Sequence, residues 1–217
     1  MDTRIFKDLI AVIRTEQERR TSLRNPQDPD FAYDRWLFTD EPFLNELCLM
    51  VLLTLRHQVE RELVGLAARA AGGGKEISRQ QYQTEVEQLR KKNRKVWNWE
   101  EINKRLEPKS CKNYDFFEAL RHLANSYKHN PSMEPEGELL TLLKLKPGVS
   151  YAPLPESDSV REGLADLIGL EKGADYCDIA ERFVDIASDF VAEVKSPTKL
   201  SKVEWGAVSL KPDKFAR

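Results

Sequence analysis

Residues 41–74 read EPFLNELCLMVLLTLRHQVERELVGLAARAAGGG, and this stretch decides the class of fold. Leu44, Leu47, Cys48, Val51, Leu55, Val59, Leu63 and Leu66 recur at steps of three and four. That spacing gathers side chains on one face of a helix with 3.6 residues per turn. Thr39 or Asp40 stands where an N-cap is wanted, and Pro42 falls in the first turn, where its missing N–H costs nothing. Gly72-Gly73-Gly74 ends the run, so one long helix is expected from about Glu41 to Ala71. The apolar part of this segment, Phe43 to Leu55, is broken by Asn45 and Glu46 and stops at Arg56. It is too short and too polar to span a bilayer, so no membrane partner is expected.

Working outward, SRQQYQTEVEQLRKKNRKVW resumes a charged helical pattern with Tyr82, Val86 and Leu89 on one face. Two long helices joined by a glycine turn predict an antiparallel hairpin. Upstream, TRIFKDLIAVIRTEQERR sets Ile5, Phe6, Leu9, Ile10 and Ile13 at helical spacing, with Asp2 or Thr3 to cap it. The segment at about 25–41, with Phe31, Trp36, Leu37 and Phe38, reads as an aromatic, acidic arm docked on the core. Asn98 opens a short helix, WEEINKRLE, that ends before Pro108, and Asn113 opens another. The region at about 130–157 is rich in proline; within it ELLTLLKL fits either a short helix or an extended piece. Ser157 or Asp158 starts VREGLADLIGL, and DYCDIAERFVDIASDFVAEVK forms a last helix with Tyr176, Ile179, Phe183, Ile186 and Phe190 on one face. The whole, residues 1–217, reads as a single all-α domain, a helical bundle with long antiparallel helices.

Charge is nearly balanced, at −2 formally, which excludes the strongly basic balance of a dedicated duplex-binding protein. Its distribution is uneven. Arg90 to Lys112 holds nine basic and three acidic residues, and Asp28 to Glu46 holds six acidic residues against Arg35. Such flanks can face each other between two copies of the chain. The basic run RKKNRKVWNW interleaves cations with Trp97 and Trp99, a pattern able to hold a nucleic-acid backbone, but it reads more simply as a solvated helix end with buried tryptophans. Cys48, Cys111 and Cys177 are widely separated and odd in number, which points to a reducing, cytoplasmic setting. Neither GxGxxG nor GxxxxGK is present, so no nucleotide cofactor is expected. The gaps between Cys111, His122 and His129 match no usual zinc spacing, and no metal site is expected.

The densest chemistry lies in EALRHLANSYKHN, residues 118–130, which holds two of the chain's three histidines. Arg121, Asn125 and His129 fall at i, i+4 and i+8, so they share a broad face with His122 and Lys128 nearby. Leu120, Leu123 and Ala124 are left to pack inward. An arginine fork can stabilise charge on a phosphate, and a histidine can move the proton of a ribose 2′-hydroxyl. Alternatively His129 and Asn130 are a polar cap before Pro131, with a cation favoured there by the helix dipole. His57 has Glu60 one turn away, an arrangement that either orients it toward the same site or is a helix-surface contact.

The long helix VLLTLRHQVERELVGL followed by LRHLANSYKHN resembles the HEPN superfamily, all-α proteins marked by Arg, four to six residues, then His, near the start of a late helix. Here seven residues separate Arg121 from His129, one more than that pattern. The resemblance covers about Pro42 to His129. It implies a homodimer whose two motif helices line one cleft, and metal-independent RNA cleavage in a defence or toxin–antitoxin setting, with an antitoxin or another protein as partner. Carried onto this chain, it implies Arg121 and His129 as the catalytic pair, with Asn125 and Lys128 on the substrate phosphate; beside them His122 is expected to bind substrate, and His57 and Glu60 to support the site. The alternative is a non-catalytic HEPN-like dimeric interaction or scaffold module.

Overall fold

A computed structural model describes residues 1–23, 40–90, 97–129, 132, 134–146, 148–195 and 199–205. The expected aromatic arm, apart from its last residues, and the core of the RKKNRK run lie outside these residues. The described residues form eight α-helices: α1 Arg4–Leu23, α2 Asp40–Ala70, α3 Arg79–Gln88, α4 Trp99–Leu106, α5 Tyr114–His129, α6 Gly137–Leu142, α7 Asp158–Leu167 and α8 Tyr176–Lys195. One two-residue parallel pairing joins β1, Ile77–Ser78, to β2, Val203–Glu204. The all-α expectation holds in that sense, and no helix among the described residues is long and apolar enough to cross a membrane.

The chain falls into two compact units, Met1–Glu60 with Lys112–Val191, and Arg61–Cys111 with Ala192–Arg217. In the first, the periodic residues of α2 do what their spacing predicts: Leu44, Cys48, Val51, Leu55 and Val59 are buried, and Leu47 is half-buried. Val59 of this set meets the apolar faces of α5 and α8. Val59, Phe117, Leu120, Phe183 and Phe190 surround one small space, and the Phe117 and Phe190 rings stack at 5.2 Å. Ion pairs tie α1 to α8, Lys7 to Asp185 at 2.7 Å and Arg14 to Asp178 at 2.9 Å. Seven residues forward on one helix match seven residues back on the other, so the two run in opposite directions. Leucines in ELLTLLKL resolve as α6, with Leu139 and Leu140 buried. Ser157 caps α7 by accepting the Val160 N–H.

In the second unit the glycine turn does stop α2, but the next helix is shorter than its charge pattern predicts. Gly73 and Gly74 take φ of +59° and +86°, open to glycine and strained for other residues. A Cβ on Gly72 would run into Ser201 and Ile77, so the turn is packed as well as bent. Ile77 then pairs with β2 before Ser78 and Gln81 form a reciprocal cap at the start of α3. α3 ends at Gln88 rather than running on to Trp97: Leu89 is fully buried, and its carbonyl accepts the Asn98 N–H at 2.7 Å. A continuing helix would claim that carbonyl for its own ladder. Trp97 and Trp99 are half-buried, with the Arg90 guanidinium 5.1 Å from the Trp97 ring. Asn98 precedes α4 as expected, though its side chain makes no capping bond. Arg105 closes the unit by binding Glu85 and Glu101, each at 2.8 Å.

The five apolar residues picked out at the start of α1 divide. Phe6, Ile10 and Ile13 are buried, while Ile5 and Leu9, together with Val12, face outward. Ile10→Ala should therefore cost about 2–5 kcal/mol, whereas Val12→Ala should stay within about 0.5 kcal/mol. Urea denaturation of the two variants beside the parent chain checks the contrast.

Candidate functional site

α5 begins where Asn113 offers its carbonyl to the Phe117 N–H, and Asp115 lies in the first turn, favourable to the helix dipole. Its apolar side is Phe117, Leu120, Leu123 and Ala124. Tyr127 fixes the far end by donating to Glu46 of α2 at 2.8 Å. The polar side is thus carried on a helix held firmly at both ends.

His122 does not lie on an open polar face with its neighbours. It is buried at 9% exposure, and its ring is gripped from both sides. Arg121 Nη2 lies 2.9 Å from His122 Nε2. A guanidinium can only donate, so Nε2 accepts and Nδ1 carries the proton. That proton points at Glu136, 3.4 Å away. Arg121 is held in turn by Glu118, through Nε at 3.2 Å and Nη2 at 2.6 Å. Its remaining nitrogen, Nη1, has no hydrogen-bond partner among the described residues, and the side chain keeps 31% of its exposure. Burial works to lower the Arg121 pKa, but the hydrogen bond and charge of Glu118, helped by Tyr114 and Glu136, outweigh it and raise the value.

Beneath this row, α2 supplies a second cluster. Arg56 binds Glu60 at 2.6 Å with both side chains largely buried. His57 Nδ1 stands 3.3 Å from Glu60 and 3.4 Å from Arg56. One ring nitrogen serves only one of them at a time, donating to Glu60 when protonated and accepting from Arg56 when not. Burial pulls the Arg56 pKa down, Glu60 opposes this, and the positive charge of Arg121 adds to the depression. The two arginines therefore feel each other; Glu60 holds Arg56, Glu118 holds Arg121, and Glu136 faces the His122 ring.

Asn125 is half-buried, and Lys128 and His129 are exposed at the helix end. Neither the Lys128 nor the His129 side chain makes an ion pair or hydrogen bond among the described residues. No such bond joins Arg121 to His129 either, and eight residues of helix separate them by a rise of about 12 Å. The sequence reading did not include Glu118, Arg56, Ser126 and Glu136 among the residues of this cluster. Glu118 and Arg56 were legible one turn from residues already singled out. Glu136 was not, because it lies seven residues beyond the end of α5. Ser126 fastens it there, donating to the His122 carbonyl and accepting the Glu136 N–H, both at 2.9 Å.

His122, Glu136 and Glu138 offer ligand atoms within 4.8 Å of one another. The chemistry of this set fits a metal poorly as it stands. Arg121 occupies Nε2, and Nδ1 faces Glu136 with a proton that a cation would have to displace. Comparison with family models, with curated proteins and with solved structures finds no match.

Ser126 is fully buried, so Ser126→Ala leaves the Glu136 N–H without its acceptor and should cost about 1–3 kcal/mol by denaturant unfolding. Tyr114 and Tyr127, near the two ends of α5, are both pushed up to about 12, each by burial first and then by the adjoining glutamate. A raised tyrosine pKa means that the folded chain keeps a proton which the unfolded chain releases near pH 10. Their contribution is present below that pH and is lost as pH rises toward 12. Denaturation midpoints should fall over this window, and the fall should be shallower in the Tyr127→Phe variant.

Proposed function

We propose that this chain is an HEPN-like protein that binds RNA and cleaves it without a metal, at a site assembled from two copies. The observation that supports this is the disposition of Arg121. Its Nε and Nη2 edge is fixed by Glu118 and His122, while Nη1 stays uncommitted among the described residues and the side chain is partly exposed. A guanidinium so held is aimed before any ligand arrives, which suits it to a phosphate oxygen. His129, exposed at the end of the same helix, is the acid or base of this reading. One chain keeps it about two turns from Arg121, and a second copy of α5 running the opposite way brings a His129 toward the first Arg121. Lys128 and Asn125 then contact the RNA backbone. Attack of a 2′-hydroxyl, its proton removed, on the adjacent phosphorus breaks the bond to the next nucleotide's 5′ oxygen, which leaves as a protonated 5′-hydroxyl, and the other product ends in a 2′,3′-cyclic phosphate.

A second reading is a non-catalytic, HEPN-like interaction module, and the charge count favours it. Two arginines face three glutamates in the cluster, so an incoming phosphate meets negative charge already in place.

The two readings part in a cleavage assay on mixed single-stranded and structured RNAs with EDTA present. Arg121→Ala and His129→Ala should each lower cleavage by about 10²- to 10⁴-fold. Mixing the two inactive variants should restore about a quarter of the parent activity, because half of the dimers formed are mixed and each carries one intact site. No recovery on mixing would exclude pairing across copies. An inactive parent chain over many RNAs would leave the interaction module.

A further inference from the structure

Two thiols meet in the core of the first unit. Cys48 on α2 and Cys177 on α8 are 1% and 3% exposed, and their sulfurs stand 3.4 Å apart. They are 129 positions apart in the sequence, so only the packing of the two helices joins them. Each sulfur needs to move by well under a bond length: closing 3.4 Å to a disulfide of about 2.05 Å takes about 1.4 Å of approach, shared by two side chains. The pair is also chemically unequal. Cys177 donates toward Gln17 Oε1 of α1 at 3.7 Å, which leaves its sulfur lone pairs to the Cys48 S–H. Cys177 is the second residue of α8, where the helix dipole favours a thiolate. The hydrogen bond from Cys48 lowers the Cys177 pKa, with Arg14 acting the same way and burial, Asp175 and Asp178 opposing. The same hydrogen bond, with burial, raises Cys48.

We infer that Cys48 and Cys177 form an oxidation site, at which a hydroperoxide converts the two thiols to an intramolecular disulfide linking α2 to α8. The Cys177 thiolate attacks one peroxide oxygen and the O–O bond breaks. One oxygen stays on sulfur as a sulfenic acid, and the other leaves as an alcohol or water with the proton that Cys177 gave up. The Cys48 sulfur then attacks the Cys177 sulfur, the S–O bond breaks, and the departing oxygen takes the Cys48 proton as water. Two electrons pass from the sulfurs to the peroxide. A small dithiol reverses the change by exchange. Burial restricts the site to small oxidants, and it keeps other proteins' thiols away from the intermediate. Cys111 is the internal comparison: it is more exposed, yet burial and the charge of Glu193 raise its pKa, and no second cysteine stands beside it among the described residues.

The test uses the full chain, reduced, freed of reductant, treated with hydrogen peroxide, then unfolded, alkylated and mapped by peptide mass. The expected product joins the Cys48 and Cys177 peptides within one chain, with Cys111 alkylated and all three thiols returned by dithiothreitol. The oxidised protein should also unfold at a higher urea midpoint than the reduced protein. Cys48→Ser removes the resolving thiol, so dimedone should then label Cys177, whereas Cys177→Ser should leave Cys48 unlabelled. If those variants do not fold, the map of the unmodified sequence decides alone. Oxidation at Cys111 with Cys48 and Cys177 both still alkylated would overturn the site, and dimedone on Cys48 would overturn the order of attack.

Discussion

Burial of the shared apolar face of α2, α5 and α8 is the constraint on which the first unit depends. Val59, Leu120 and Phe183 are almost wholly removed from water, and the stacked Phe117 and Phe190 rings complete the contact. A buried side chain of this size contributes about 1.5–3 kcal/mol, so a handful of them outweighs any surface ion pair in the chain. The polar row on α5 is positioned by that packing. α5 cannot rotate to change which residues it shows without exposing Leu120 and Leu123, and its outward row of Arg121, Asn125 and His129 is fixed as a consequence.

Polar groups near this core carry a cost that their partners must offset. Arg56 and Glu60 are largely removed from water, and each without the other would be a buried charge. Glu118 does the same for Arg121, and Glu136 accepts from the His122 ring. Ser126 couples the two levels, because its hydroxyl bridges a helix carbonyl and the backbone that delivers Glu136. The arrangement leaves one guanidinium nitrogen and the last turn of α5 facing outward. Those are the groups from which the RNA reading is built, and the glutamates behind them are the groups from which its rival is built.

The second unit shows how a few backbone demands cut a helix short. Its charged run has the composition of a longer helix, but the Leu89 carbonyl is taken by Asn98, and Leu89 itself is buried. At the other end, the packed Gly72 turn feeds Ile77 into a pairing with β2. The β1–β2 pairing joins residues distant in the chain, and the Leu89 carbonyl is taken nine residues ahead rather than the four of a helical ladder, so helical periodicity revealed neither.

The sequence by itself determined the helices and most of their ends, since apolar spacing, caps and glycine stops are local properties. The extent of α2 to within a residue and the all-α class were both local in origin. The sequence did not distinguish Ile10 from Val12, because helical spacing tells which residues share a face and not how wide a strip its neighbours cover. It placed His122 among exposed groups, although α5 turns that ring toward Glu136. Tertiary structure alone decided the meeting of His122 with Glu136 and of Cys48 with Cys177. These contacts arise when separate helices pack, and no period along the chain encodes the distance between one helix and the next.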